Sequence, residues 1–469
     1  MFNKMIRIAL SALLVLALSA CTIGLDYQKP EAIVPLTYKQ DAPWKEATPV
    51  DQVDKGAWWE VYADPILNDL EEQAIAANQS LQAAMARVEQ VRTGLKLARA
   101  DRLPTLALNG SARRERTAGD FSSDGQGDTG NIFSLPFNLS YELDLWGRTK
   151  RSIEAADADS ESIIADYQAV LLSLQAELAR NYFALRAQDN EIALVNQTLV
   201  LLQEALDLVK SQYENGQVSM LSLAQAETEL ANTKAEVLGL QKQRNELLNA
   251  LAVLSGSSAS DFMLVAEVGE LQPPEIAPGL PSSLLERRPD VAAAERQMAA
   301  ASARIGVAKT AFFPSISLTG NAGYASAEID SLFDWDNRTW GLGPAIYLPI
   351  FDAGRNSANF ERAKLIYEEA IANYRQQALV AFQEVEDGLQ GLQMLSRQGV
   401  FLTQAVEYAG QALMLSEKRY RSGYVSYLEV IDTQRTALQV ARSLARLQGA
   451  QMSTSVLLIK ALGGDWTSS

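Results

Sequence analysis

The chain has 469 residues, a formal charge of −16, no histidine and a single cysteine. Without histidine there is no Ser-His or Cys-His catalytic arrangement and no common histidine-based zinc site, a lone thiol rules out a disulfide framework, and the acidic balance makes nucleic acid a poor partner. Carboxylate-only chemistry is left, with no Gly-rich phosphate cradle or His/Cys metal spacing beside it, so no catalytic residue, metal or cofactor is expected.

The N-terminus reads first. Lys4 and Arg7 form a positive segment, and the apolar run Ile8–Leu18 is too short for a comfortable membrane span but suits a secretory signal. Leu18-Ser19-Ala20-Cys21 then matches the lipobox of bacterial lipoproteins, in which the cysteine is lipidated and becomes the new N-terminus. Cys21 is therefore the expected lipidation site and 1–20 the signal peptide. Thr22, where an Asp would signal retention, resembles an address to the outer membrane. Removing 1–20 takes away Lys4 and Arg7 and no acid, which moves the charge from −16 to −18. No later run of 18 apolar residues exists, so no transmembrane helix is expected. Residues 21–56, rich in Pro and polar residues, read as an extended arm. WWEVYADPILNDL (58–70) has the apolar spacing of an amphipathic helix.

From there the chain says everything twice. ARADRLPTLALNG (98–110) matches AKTAFFPSISLTG (308–320), SYELDLWGR (140–148) matches YLPIFDAGR (347–355), and YENGQVSMLSL (213–223) matches YRSGYVSYLEV (420–430), at offsets of 210, 207 and 207. Three ordered matches at a nearly constant offset indicate internal duplication. Pro104 and Pro314 mark equivalent helix-to-strand junctions, and Gly147-Arg148 and Gly354-Arg355 the reverse ones. In the first copy Phe133, Leu135, Phe137, Leu139, Tyr141, Leu143 and Leu145 occupy every second position, which predicts a strand with one apolar and one polar face. In the second copy Ile316, Leu318 and Tyr324 mark one strand and Trp340, Leu342, Ile346, Leu348 and Ile350 the next. Polar loops at 115–130 and 326–337 join the strands of each pair. Strands of ten or more residues with such a face suit a membrane barrel, although a soluble antiparallel sheet has the same alternation.

A long helix follows each strand pair. Thr149 to Tyr213 contains no proline or glycine, and Ile192, Val195, Leu199, Leu202, Leu206, Val209 and Tyr213 alternate steps of 3 and 4, a coiled-coil seam. At about 1.5 Å per residue this rod reaches roughly 100 Å. Gly216 breaks it, Ser219 is placed to cap a returning helix to about Leu254, and Gly423 and Ser426 repeat the device before a helix to about Leu462. The expected division is 57–256 for the first repeat, 257–283 for a surface crossover, 284–462 for the second repeat and 463–469 for a tail.

Four strands cannot close a barrel, and an open edge leaves backbone groups unsatisfied in hydrocarbon. Cyclic oligomerisation is the route to closure, and a trimer is the smallest assembly with a conducting bore. Lipobox, duplicated strand pair and long hairpin, FFPSISLTG (312–320) and YVSYLEVIDTQR (424–435) together resemble the TolC-like outer-membrane efflux channels, in their lipidated, OprM-like form. The resemblance implies a mainly α fold with a membrane β-barrel: a homotrimer with four barrel strands per protomer and coiled helical hairpins forming an α-barrel. It also implies a passive multidrug exit duct, an equatorial belt, and docking to a periplasmic adaptor protein and an inner-membrane transporter. The tips Asn215-Gly216-Gln217-Val218-Ser219 and Ser422-Gly423-Tyr424-Val425-Ser426 are the expected adaptor contacts. Glu429, Asp432 and Arg435 share a helix face on the stretch where the family closes its periplasmic entrance, while their first-copy equivalents Ser222, Gln225 and Thr228 are uncharged. They are the expected gate, with Asp432 and Arg435 holding it closed and threefold carboxylate rings favouring cations. The alternatives are a periplasmic adaptor lipoprotein, which carries one hairpin between small β-rich domains, and a carboxylate-dependent lipoprotein hydrolase. The acidic surplus either lines a cation-preferring lumen or solvates a large surface.

Overall fold

The computed structural model describes residues 27–28, 56–116, 118, 127, 129–274, 276 and 287–464. Cys21, the signal segment and nearly all of the N-terminal arm lie outside the described residues. After a 3-10 turn at Trp58–Tyr62 the helices are α1 (Pro65–Ala77), α2 (Gln79–Ala100), α3 (Arg148–Glu214), α4 (Met220–Leu254), α5 (Pro289–Thr310), α6 (Arg355–Arg421) and α7 (Tyr427–Ala461). The strands are β1 (Thr105–Leu108), β2 (Ser111–Arg116), β3 (Thr129–Leu143), β4 (Ser315–Ser326) and β5 (Arg338–Tyr347). The two copies keep their lengths: α3 and α6 each have 67 residues, and α4 and α7 each have 35. Two compact units result, one from 87–164 and 293–375 around the sheet, the other from 56–86, 165–292 and 376–464.

Within the first unit all pairings are antiparallel, in the order β1-β3-β4-β5, with β2 also on β3. Leu108 faces Phe137 and Ser111 faces Ser134, so β1 and β2 share one register and form a single interrupted strand. Pro136 causes the break: its carbonyl accepts from the Asn109 N–H at 3.0 Å, but it has no N–H to return. The four-strand expectation holds in this form. β3 stops at Leu143 and β5 at Tyr347, so Leu145, Leu348 and Ile350 fall beyond the strands that the alternation assigned them to. The register sorts the faces cleanly. Leu106, Leu108, the odd-numbered residues from Phe133 to Leu143, Ile316, Leu318, Trp340, Leu342 and Ile346 share one face, and many of them are exposed. Ser111, Ser134, Asn138, Ser140, Ser317, Thr319 and Asn321 share the other. Apolar side chains pointing outward from a sheet are stable only against lipid or another apolar surface.

The second unit packs around Trp58, Trp59, Leu67, Leu70, Leu178, Tyr182, Leu251, Val456 and Ile459. The expected helix over 58–70 is two elements. Ala63 turns left-handed at φ 51°, Asp64 accepts from the N–H groups of Ile66 (3.0 Å) and Leu67 (3.2 Å), and Pro65 starts α1. Tyr182 donates to the other Asp64 oxygen at 2.6 Å, and Trp58 Nε1 donates to Gln175 at 3.0 Å. The crossover is held to α3 and α4: Asp189 accepts from Arg244 Nε at 2.5 Å and from the Glu267 N–H at 3.3 Å, and Asn190 exchanges two bonds with Gly269. By length and composition α3 contains a window apolar enough to cross a bilayer, although it holds no unbroken run of 18 apolar residues. At 67 residues it far exceeds the roughly 20 a span needs.

Candidate functional site

The site is the end of the second unit where α3 turns into α4 and α6 into α7. The seam expected along α3 is there at heptad steps: Val195, Leu202 and Val209 are buried, and Ile192, Leu199 and Leu206 are partly so, while Tyr213 is exposed. On α4 the buried positions Leu223, Ala226, Leu230, Thr233, Val237 and Leu240 keep the matching 3–4 spacing. Toward the turns, Val209, Leu223 and Ala226 pack with Tyr427, Val430 and Ile431. The Tyr427 hydroxyl is buried without a hydrogen-bond partner among the described residues, and burial pushes it up to about 12.

Both turns are built alike. The Gly216 N–H bonds the Tyr213 carbonyl at 2.9 Å and the Gln217 N–H that of Gln212 at 2.8 Å. The Gly423 N–H bonds Tyr420 at 2.8 Å and the Tyr424 N–H bonds Arg419 at 2.9 Å. This is a Schellman ending with glycine left-handed, at φ 71° and 76°. Open space surrounds both glycines, so conformation and not crowding selects them. Ser219 caps α4 by accepting from the Ser222 N–H at 3.4 Å. Ser426 has the same backbone geometry, but its side chain makes no capping bond, contrary to expectation. Asn215, Gln217 and Ser219 in one tip and Ser422, Tyr424 and Ser426 in the other are exposed, and Val218 and Val425 are half-buried.

The expected gate residues are on one face but do not pair with each other. Arg435 reaches back to Glu229 on α4, with Nε at 2.8 Å and Nη2 on the same oxygen. Glu229 is the acid removed from water here, its side chain 12 % exposed, and Arg435 extends to meet it. Glu429 is bonded by Arg419 of α6 at 3.2 Å. Asp432 is exposed and has no ion-pair partner among the described residues. The expected Asp432–Arg435 clasp is therefore not an intrachain contact.

A ladder that sequence reasoning missed accompanies Arg435. Seven residues on, Arg442 bonds Glu236, seven residues after Glu229. Arg442 Nε also bonds Glu191 on α3 at 2.7 Å, and Arg446 closes on the same carboxylate at 2.5 and 2.9 Å. Burial works to raise the Glu191 carboxyl, but the hydrogen bonds from Arg446 and Arg442 outweigh it and hold it below the ordinary value. Tyr420 adds a bond to Gln212 at 2.8 Å. The signal was in the sequence as a heptad pair, acids at 229 and 236 in one copy facing arginines at 435 and 442 in the other.

Comparison with known proteins follows this geometry. The family profile described as outer membrane efflux protein matches residues 70–257 and again 280–464. Outer membrane protein OprJ of Pseudomonas aeruginosa is 33 % identical over 464 residues, covering 97 % of this chain and 95 % of OprJ. The cation efflux system protein CusC of Escherichia coli is 32 % identical over 456 residues, covering 96 % and 97 %. The CmeC outer membrane channel of Campylobacter jejuni superposes with a TM-score of 0.85 at 26 % identity, over 95 % of each chain.

Proposed function

The chain belongs to the outer membrane efflux protein family, and from that premise we propose that it serves as the exit duct of a tripartite multidrug pump, docked at its hairpin tips and gated beside them. The protein is an outer-membrane efflux channel with a long periplasmic helical extension, and members of the family are channel proteins. The adaptor-lipoprotein alternative is set aside, because the family match covers a duplicated channel fold end to end.

The finer assignments are ours. Two repeats, 57–256 and 284–462, flank the crossover 257–283. Three protomers close the sheet, and Cys21 carries a lipid that adds to the barrel's hold on the membrane. A periplasmic adaptor meets the tips 215–219 and 422–426, and an inner-membrane transporter supplies energy and chooses the cargo. The observation that carries the docking assignment is the repeated Schellman turn, which sets two exposed, similarly shaped tips side by side in every protomer. The gate is the seam between α4 and α7. Arg435 on Glu229 ties the second hairpin to the first, and Arg419 restrains Glu429. The exposed Asp432 contributes one carboxylate of a threefold ring that favours cations.

The test is conductance of the purified trimer in planar bilayers, together with cysteine cross-linking from Gln217→Cys and Tyr424→Cys to the adaptor expressed beside it. Low conductance that rises when Asp432 and Arg435 are both changed to Ala, and cross-links from both tips, are expected. A double variant that assembles and conducts like the parent places the gate elsewhere, and tips that never cross-link remove the docking role. Mass spectrometry finding an unmodified Cys21 in the mature protein ends the lipid assignment.

A further inference from the structure

The lipid-facing side of the sheet ends differently at its two rims. At the rim joined to the helices it is apolar and aromatic, with Tyr141, Leu143, Ile316 and Ile346. At the opposite rim, where β2 ends, β3 begins, β4 ends and β5 begins, the same face turns cationic. Ala112 shares the face with Phe133, so Arg114 and Arg116, two and four residues on, share it too, opposite Asn131 and Thr129. Arg338, the first residue of β5, stands opposite Tyr324, which stands opposite Leu135 on that face. No acidic residue of the five strands occupies this face: Glu115 and Glu142 alternate to the other.

All three arginines are exposed, and none makes an ion pair among the described residues. Glu328, Asp330, Asp334 and Asp336 lie between β4 and β5, and among the described residues none of them forms an ion pair with these arginines. The Arg338 guanidinium is stacked over Trp335 at 3.1 Å from the ring centroid, with Trp340 following on the same face as Arg338. Stacking holds the plane of the guanidinium and leaves its edge N–H groups for an anion.

Height puts Arg114 and Arg116 at the membrane surface, with Arg338, level with Leu135, just inside the edge of the apolar band. Phe133 to Leu143 spans about 34 Å of strand, which at a tilt near 45° projects to roughly 24 Å, the height of a barrel's apolar band. Arg114 and Arg116 lie past Phe133, outside that band. Since the helices extend into the periplasm, this rim meets the outer leaflet.

We propose that this rim binds the phosphate groups of the phosphorylated glycolipid of the outer leaflet, with Arg114 and Arg116 on β2 as one contact and Arg338 on β5, about 14 Å away across β3 and β4, as a second. Arginine forks suit phosphate bidentately, and aromatic neighbours at the interface suit the sugar-to-acyl boundary. Arg113, the residue between Ala112 and Arg114, points to the opposite face and takes no part. The proposal rests on the outer-membrane location and not on any gate or adaptor contact.

The experiment is native mass spectrometry of the full-length trimer in detergent, titrated separately with bisphosphorylated lipid A, dephosphorylated lipid A and phosphatidylglycerol. The parent protein should retain bisphosphorylated lipid A roughly tenfold or more over the dephosphorylated form. The triple variant Arg114→Gln, Arg116→Gln, Arg338→Gln should lose that preference, while Arg113→Gln keeps it. If the triple variant does not assemble, Arg116→Gln alone should weaken retention, and the triple Lys variant should retain part of it. Equal retention of phosphorylated and dephosphorylated lipid overturns the site, and so does equal retention by Arg116→Gln and the parent. Phosphatidylglycerol held as tightly as lipid A overturns the glycolipid assignment. Conductance unchanged in the same variants separates this outcome from any failure of the channel reading.

Discussion

The two hairpins share a turn and differ in the charges of the helices that follow it. Gly216 and Gly423 end their helices with the same pair of bonds, yet α4 continues with acids at 229 and 236, and α7 with arginines at 435 and 442. At the equivalent positions the other copy has Thr436 and Ser443, and Thr228 and Ala235. At these rungs each copy thus carries one sign, and neither could form the ladder with itself. Duplication supplied two helices of like shape, and substitution made them complementary, which turns a repeat into a fixed pair.

The largest effect comes from removing the cations around Glu191. Its side chain is 4 % exposed and depends on Arg442 and Arg446. Arg442→Ala with Arg446→Ala leaves a buried charge without compensation, a loss of about 3–5 kcal/mol. A fall of several degrees in the thermal midpoint of the trimer is expected, with substantial recovery on adding Glu191→Gln. Because the folded carboxyl lies below its unfolded value, its contribution is present above the unfolded pKa and is lost as pH falls through the folded one. The variant and the parent should therefore converge in acid.

Glu71 is the opposite case and serves as the control. It lies on α1 between the core residues Leu70 and Ala74, fully buried, with neither oxygen hydrogen-bonded among the described residues. Burial raises its carboxyl from 4.5 to about 9. The folded chain holds the extra proton between those values, so this stability is complete below pH 4.5 and is lost as pH rises toward 9. Glu71→Gln should stabilise by about 3 kcal/mol at pH 7 and by little at pH 4.5, read as thermal midpoints across pH. A gain independent of pH would mean that Glu71 is ionised in the fold.

What the sequence revealed followed from whether the signal was local. Alternation in β3, the Pro and Gly punctuation and the glycine turns are set within a few residues and were legible. The break at Asn109 came from Pro136, 27 residues away, and the split at Ala63 from Asp64 competing as a cap. The ion partners depended on which helices adjoin. Asp432 and Arg435 are neighbours in sequence, but Glu229, 206 residues away, is the acid removed from water, and the guanidinium goes there. Glu71 reads as one polar position of an amphipathic helix, and nothing local marks it as buried.

The turns themselves test whether the tips are equivalent. A valine at φ 71° or 76° adopts a conformation costing about 1–2 kcal/mol, with no clash to add, since the space is open. Gly216→Val and Gly423→Val should lower the thermal midpoint equally and leave the trimer intact. If both tips dock the adaptor, efflux should fall in both. Resistance lost in only one would assign docking to that hairpin, and unchanged cross-linking and resistance in both would count against a docking role.

The smallest effect is the most informative about the seam. Arg435 is half-exposed, so water screens it and its bond to Glu229 contributes only about 1 kcal/mol. A double-mutant cycle with Glu229→Gln and Arg435→Gln should return a coupling of that size in thermal stability. The swap Glu229→Arg with Arg435→Glu should recover part of it, because both groups lie at one rung of a pair of adjoining helices. The contrast with Asp432→Asn decides what the charges do. If the seam is a lock, breaking Glu229–Arg435 raises single-channel conductance without changing cation preference, because the hairpin is released and the axial carboxylates remain. Asp432→Asn lowers cation preference and changes the Glu229–Arg435 coupling little, since Asp432 forms no ion pair among the described residues and acts on Arg435 only as a nearby charge. Should the two variants alter conductance and selectivity identically, lock and ring would be one device, and the division of labour between the copies would fail.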